Sequence, residues 1–182
     1  MQIVQLLKSY SAGRRDFSGV DFREAWMPGL KLDLAVLRSA DLTGSNLSHG
    51  VLHGADFSKA MMWRINLSYA QLKDASFIRS ILIRCQLQGS DARRGNFDEA
   101  DLRLANLRDV DFVGATFSGA QLCYADLSGA NLEDIDFRAA DLTGVNLSKA
   151  NLKGCRFTKT QAKELNVVET TPLMEPEAKI AI

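Results

Sequence analysis

The sequence predicts an all-β fold, a four-sided parallel β-helix of stacked coils, and three observations carry that prediction. Large apolar residues recur every five positions from Phe17 to Phe157, with no insertion or deletion. Of the 29 positions so defined, 28 are Leu, Phe or Met; the exception is Ala92, and all nine phenylalanines of the chain fall among them. A twenty-residue period overlies the first: positions 57, 77, 97, 117, 137 and 157 are Phe, whereas 47, 67, 87, 107, 127 and 147 are Leu.

The five-residue unit comes first. Two residues before the centres the side chain is small except at Arg15 and Leu30, Ala in 15 of the 29 cases, and one residue before them stands Asp or Asn in 17. The two residues after it are mostly polar, charged or Gly, so the consensus is Ala-(Asp/Asn)-Leu-x-x. On an α-helix, steps of about 100° would scatter such a repeat around the cylinder, and a strand alternates its faces every two residues. A chain that turns one large and one small apolar side chain inward every five residues must bend at a corner each time. Four sides make one twenty-residue coil. The stretch therefore holds about seven coils, about 35 Å tall at a strand spacing of roughly 4.8 Å.

Three segments follow along the chain. Residues 1–14 read as an N-terminal capping helix, with Ile3, Leu6, Leu7 and Tyr10 on one face and Gly13 as its stop. Residues 15–159 form the β-helix, and 160–182 a C-terminal cap and a flexible tail containing Pro172 and Pro176. A solenoid exposes ladder edges and core at its ends. With apolar Leu173, Met174, Ile180 and Ile182 nearby, a homodimer through one end is expected.

Composition narrows the function classes. With 22 basic and 22 acidic residues the formal charge is zero, so no whole-molecule field draws nucleic acid or an anionic membrane. No apolar run is long enough to span a bilayer, and the start lacks the pattern of a secretory signal. No membrane association and a cytoplasmic location are expected. Cys85, Cys123 and Cys155 are odd in number and widely spaced, which argues against a disulfide framework or zinc site. His49 and His53 point outward with no carboxylate or thiol at metal-ligand spacing, and the serines after the centres read as turn residues. The Asp and Asn before the centres are expected to satisfy backbone groups at the corners and to bond between coils. No catalytic, metal or cofactor site is expected, and the chain does not read as an enzyme.

Runs such as Ala100-Asp101-Leu102, Ala105-Asn106-Leu107 and Ala125-Asp126-Leu127 resemble the pentapeptide-repeat proteins, a likeness that covers residues 15 to about 159. The resemblance implies a right-handed quadrilateral β-helix of a kind abundant in cyanobacteria. It also brings in an alternative function, that of the fluoroquinolone-resistance members, which mimic DNA and bind gyrase. Residues 59–110 carry nine basic and six acidic side chains, and no loop interrupts the coils, so the sequence departs from that branch.

One side breaks the polar pattern. Around the centres at 62 and 82 the outward residues are Met61, Trp63 and Arg64, then Ile81, Ile83 and Arg84. Arg103, Leu104 and Tyr124 continue the side, and Ile78 and Arg79 lie at the adjoining corner. Stacking sets Met61 against Ile81, Trp63 against Ile83 and Arg64 beside Arg84. Aromatic residues and arginines around an apolar centre are what protein interfaces enrich. These eleven residues are the candidate interaction patch of a scaffold whose protein partner is unidentified. Direct nucleic-acid binding is not favoured, because the arginines from Arg79 to Arg108 spread over several sides.

Overall fold

The structure, a computed structural model, describes residues 3–165. Its regularity follows from where the five backbone amides of each repeat go. In the repeat centred on Phe57, the Phe57 N–H donates to Ser76 O at 2.7 Å and the Lys59 N–H to Ile78 O at 2.8 Å, both one coil on. The Asp56 N–H reaches back one coil to Ala35 O at 2.9 Å, and the Ala60 N–H closes a turn onto Phe57 O at 3.0 Å. The fifth amide, that of Ser58, lies outside the ladder, and the Asp56 Oδ1 accepts from it at 2.9 Å. Asp41 does the same for Thr43, and Asn66 for Ser68. This local bond is why Asp and Asn dominate the position before the centre. Where Pro28 leaves no N–H to satisfy, that position is free to be Trp26.

Coils stack through single parallel bridges twenty residues apart, such as Asp16 to Val36, Met61 to Ile81 and Asn131 to Asn151. From Phe17 to Leu152 the second residue after the centre turns the corner with a positive φ, for example 60° at Lys59 and 58° at Tyr69, except at Ala139. That geometry belongs to a type II turn. At several corners the side chain leans toward the next coil, and glycine stands where it leans. A Cβ at Gly89 would lie 2.6 Å from Cε1 of Tyr69, and one at Gly144 2.5 Å from Cδ1 of Tyr124.

Leu, Phe and Ala fill the axis. Phe57, Phe77, Phe97 and Phe117 stack with centroids 5.1, 4.7 and 5.2 Å apart. Phe112 sets its ring edge-on to Phe97 and Phe117, in the column where Ala92 is wholly buried. The ladder is interrupted between Thr116 and Asp136, which form no bridge. There the amides of Phe117 and Asp136 lack the bonds their counterparts make, and Gly119 N–H donates to Ala139 O at 3.1 Å, one residue beyond the usual acceptor.

Both described ends carry helices. In α1 (Ile3–Ser11), Leu6 is fully buried against the first coils, Ile3 and Tyr10 pack beside it, and the Tyr10 hydroxyl donates to Asp33 O at 3.0 Å. Helix α2 (Lys159–Glu164) starts one residue before the C-terminal cap expected from residue 160. Thr158 and Gln161 form its capping box, and Gln161 Nε2 donates to Phe137 O and Ala140 O, both at 2.9 Å. The tail residues Leu173, Met174, Ile180 and Ile182 lie outside the described residues. Among the described residues no helix is long and apolar enough to cross a membrane.

Candidate interaction face

Met61 and Ile81 occupy the bridging position on two successive coils, where most repeats carry Asp or Asn. Both side chains point outward and are exposed, as are Trp63, Leu104 and Tyr124. Ile83 and Ile78 are partly buried. The structure therefore brings Met61, Trp63, Ile81 and Ile83 together on one side, with Leu104 and Tyr124 continuing it along the axis. Apolar residues at 61 and 81 also remove the local acceptor, so the amides of Trp63 and Ile83 have no hydrogen-bond partner among the described residues.

The four arginines of the patch divide into two pairs. Arg79 forms a two-pronged bond with Glu99 at 2.7 and 2.9 Å, and Arg103 one with Asp101 at 2.8 and 2.7 Å. Their charges are matched within the chain. Arg64 and Arg84 have no carboxylate within 4.0 Å among the described residues, and Arg64 Cζ lies 4.5 Å over the Trp63 ring. Arg23, Arg38, Arg93, Arg94, Arg108, Arg138 and Arg156, elsewhere in the repeats, each have a carboxylate within 4.0 Å. The sequence shows neither this division nor the unpaired amides directly, although a coil of twenty residues makes the Arg79–Glu99 pairing readable.

The groups with other chemical potential are already engaged. His49 stacks on Tyr69 at 5.2 Å and His53 Nε2 meets Gln71 Oε1 at 3.0 Å. Burial pushes the Cys85 thiol far up and the Cys155 thiol up to about 11. Partial burial and then the neighbouring Asp141 raise that of Cys123. These thiols are protonated at neutral pH and poor nucleophiles. Among the described residues no group of His, Cys, Asp and Glu is arranged to hold a metal ion.

A family model described as pentapeptide repeats matches the chain in eight copies, over residues 16–54, 35–68, 51–84, 70–109, 80–119 and 120–158. The match implies the right-handed winding of the solenoid. Among solved structures, a trypsin-treated point variant of QnrB1, a plasmid-mediated fluoroquinolone resistance protein, is 21% identical. Its TM-score is 0.67, with 83% of each chain covered. A second trypsin-treated point variant of the same protein gives 20% identity and a TM-score of 0.55 over 83% of this chain and 94% of that one. HetL, involved in heterocyst differentiation regulation in the cyanobacterium Nostoc, is 28% identical over 86% of this chain and 94% of its own, at a TM-score of 0.30. These likenesses concern the fold. No curated protein matches the chain.

Proposed function

We propose that this chain, which belongs to the pentapeptide-repeat family, is a non-catalytic protein-interaction scaffold that works through the side bearing Met61, Trp63, Ile81, Ile83 and Arg84. The supporting observation is the replacement of the polar bridging residue by Met61 and Ile81 on adjacent coils, which exposes a continuous apolar strip. A photo-crosslinking residue at position 63 is expected to trap a protein in cells, whereas the same residue at position 73, on another side, traps none. Equal adducts at both positions, or none at 63, contradict the reading.

Gyrase binding by DNA mimicry is the second reading, raised by the fold shared with QnrB1. Mimicry needs free anionic charge at phosphate-like spacing, yet Asp21, Asp91, Asp101 and Asp136 are each tied to an arginine two residues on. A supercoiling assay in which the protein neither inhibits nor protects gyrase removes it. End-to-end pairing of two copies draws support from the last coil, where the amides of Leu142, Leu147 and Leu152 have no described coil above them. A monomeric mass by light scattering refutes it.

A further inference from the structure

The strip around Trp63 is rich in donors and poor in acceptors. Its carbonyls are consumed by the ladder: Met61 O accepts from Leu42 N–H, Trp63 O from Gly44, Ile81 O from Met62 and Ile83 O from Arg64. Its amides at Trp63 and Ile83 and its guanidinium groups at Arg64 and Arg84 are unmatched among the described residues. Asp41 below and Asp101 above, the bridging neighbours of Met61 and Ile81, are drawn toward Arg23 at 3.6 Å and Arg103 at 2.7 Å. Two adjacent coils thus carry two positive charges, apolar contact area and no carboxylate on this side.

We infer that the occupant of this face is an acidic segment of another protein, with aliphatic or aromatic side chains seated on Met61, Trp63, Ile81 and Ile83 and carboxylates paired with Arg64 and Arg84. The inference rests on the interaction-face reading above and adds the partner's chemistry. The coil rise of roughly 4.8 Å sets the two arginine backbones close to the separation of residues three or four apart on a helix, about 5–6 Å between Cβ atoms. Two acidic residues at that spacing reach both guanidinium groups at once. The Trp63 ring under Arg64 restrains that guanidinium, which lowers the entropy lost on pairing. Nucleic acid fits less well: on this side Arg79 and Arg103 are already paired with carboxylates, which leaves two arginines for a run of phosphates.

A phage-displayed library of random dodecapeptides, panned on the full chain, tests the chemistry. Peptides that require Trp63 are expected to combine Asp or Glu with Leu, Ile, Phe or Trp. They are expected to weaken about tenfold or more on R64E/R84E, and also on R64Q/R84Q should the double reversal fail to fold. The control Lys73→Glu leaves them unchanged. Peptides lost with Trp63→Ala but indifferent to both arginine variants overturn the acidic partner while leaving the interaction face standing. Pools indifferent to Trp63→Ala and to the arginine variants overturn both. Duplex DNA or phosphatidylglycerol vesicles binding the wild type and not R64E/R84E assign the arginines to phosphate and overturn the proposal.

Discussion

Ser90 occupies the inward position that Ala fills in most repeats, and its buried hydroxyl has no hydrogen-bond partner among the described residues. Ser45 and Ser80, at equivalent positions, donate to Leu42 O and Phe77 O at 2.7 Å. Leaving a buried hydroxyl unmatched costs about 1–3 kcal/mol, so Ser90→Ala is expected to raise the melting temperature, while Ser80→Ala is close to neutral. Gly95→Ala restores the same consensus residue and is expected to do the reverse. A Cβ there lies 2.9 Å from both Ala92 O and Cε2 of Phe97, a ring held in the stacked column. Thermal melts of the three variants decide this, and a gain in Gly95→Ala contradicts it. The repeat was legible in the sequence, but exceptions of this kind were not. The consensus averages over repeats, whereas the space at residue 95 is set by one backbone carbonyl and one neighbouring ring.

At the scale of the repeat, the sequence revealed the twenty-residue coil, the phenylalanine column and the apolar side, because each recurs in register. It did not reveal the interruption between Thr116 and Asp136, since both residues keep the register. There the Phe117 and Phe137 rings tilt by 32°, against 9° between Phe97 and Phe117. A crevice of about 760 Å³ opens beside Thr116, Ser118, Asp134 and Arg156. Amides without ladder bonds exchange through small local openings. The amides of Phe117 and Asp136 are therefore expected to exchange with deuterium much faster than those of Phe97 and Thr116, whose bonds are 2.9 and 3.0 Å. Equal protection by native-state exchange measured by NMR means that the ladder closes there in solution. The glycine pattern at the corners was legible in principle: Tyr69 precedes Gly89, and Tyr124 precedes Gly144, by twenty residues. Recognising it requires knowing that corner side chains lean along the axis.

For the whole molecule, a formal charge of zero conceals a surface of matched pairs, and acid should dismantle them. Burial tends to raise the Asp56 carboxyl, but bonds from the Ser58 hydroxyl and amide and from Arg38 at 2.5 Å outweigh it and leave it lowered. Arg93 lowers Asp91 and Arg138 lowers Asp136, each through a side-chain bond, and the bond from Arg23 brings Asp21 down to about 2. These carboxyls lie below 3.8, their value when unperturbed, so the unfolded chain takes up protons before the folded one does. The stabilisation is fully present above that value and drains away as pH falls through the folded pKa values. The melting temperature should thus be nearly flat from about pH 7 to pH 5 and drop steeply below about pH 4. Arg38→Gln should shallow the drop by removing one of the groups that hold Asp56 down. R64Q/R84Q should leave it unchanged, since neither arginine has a carboxylate within 4.0 Å to lose among the described residues. A drop that shallows equally in both variants places a carboxylate of this chain on Arg64 or Arg84, and the donor-rich strip is then already matched from within.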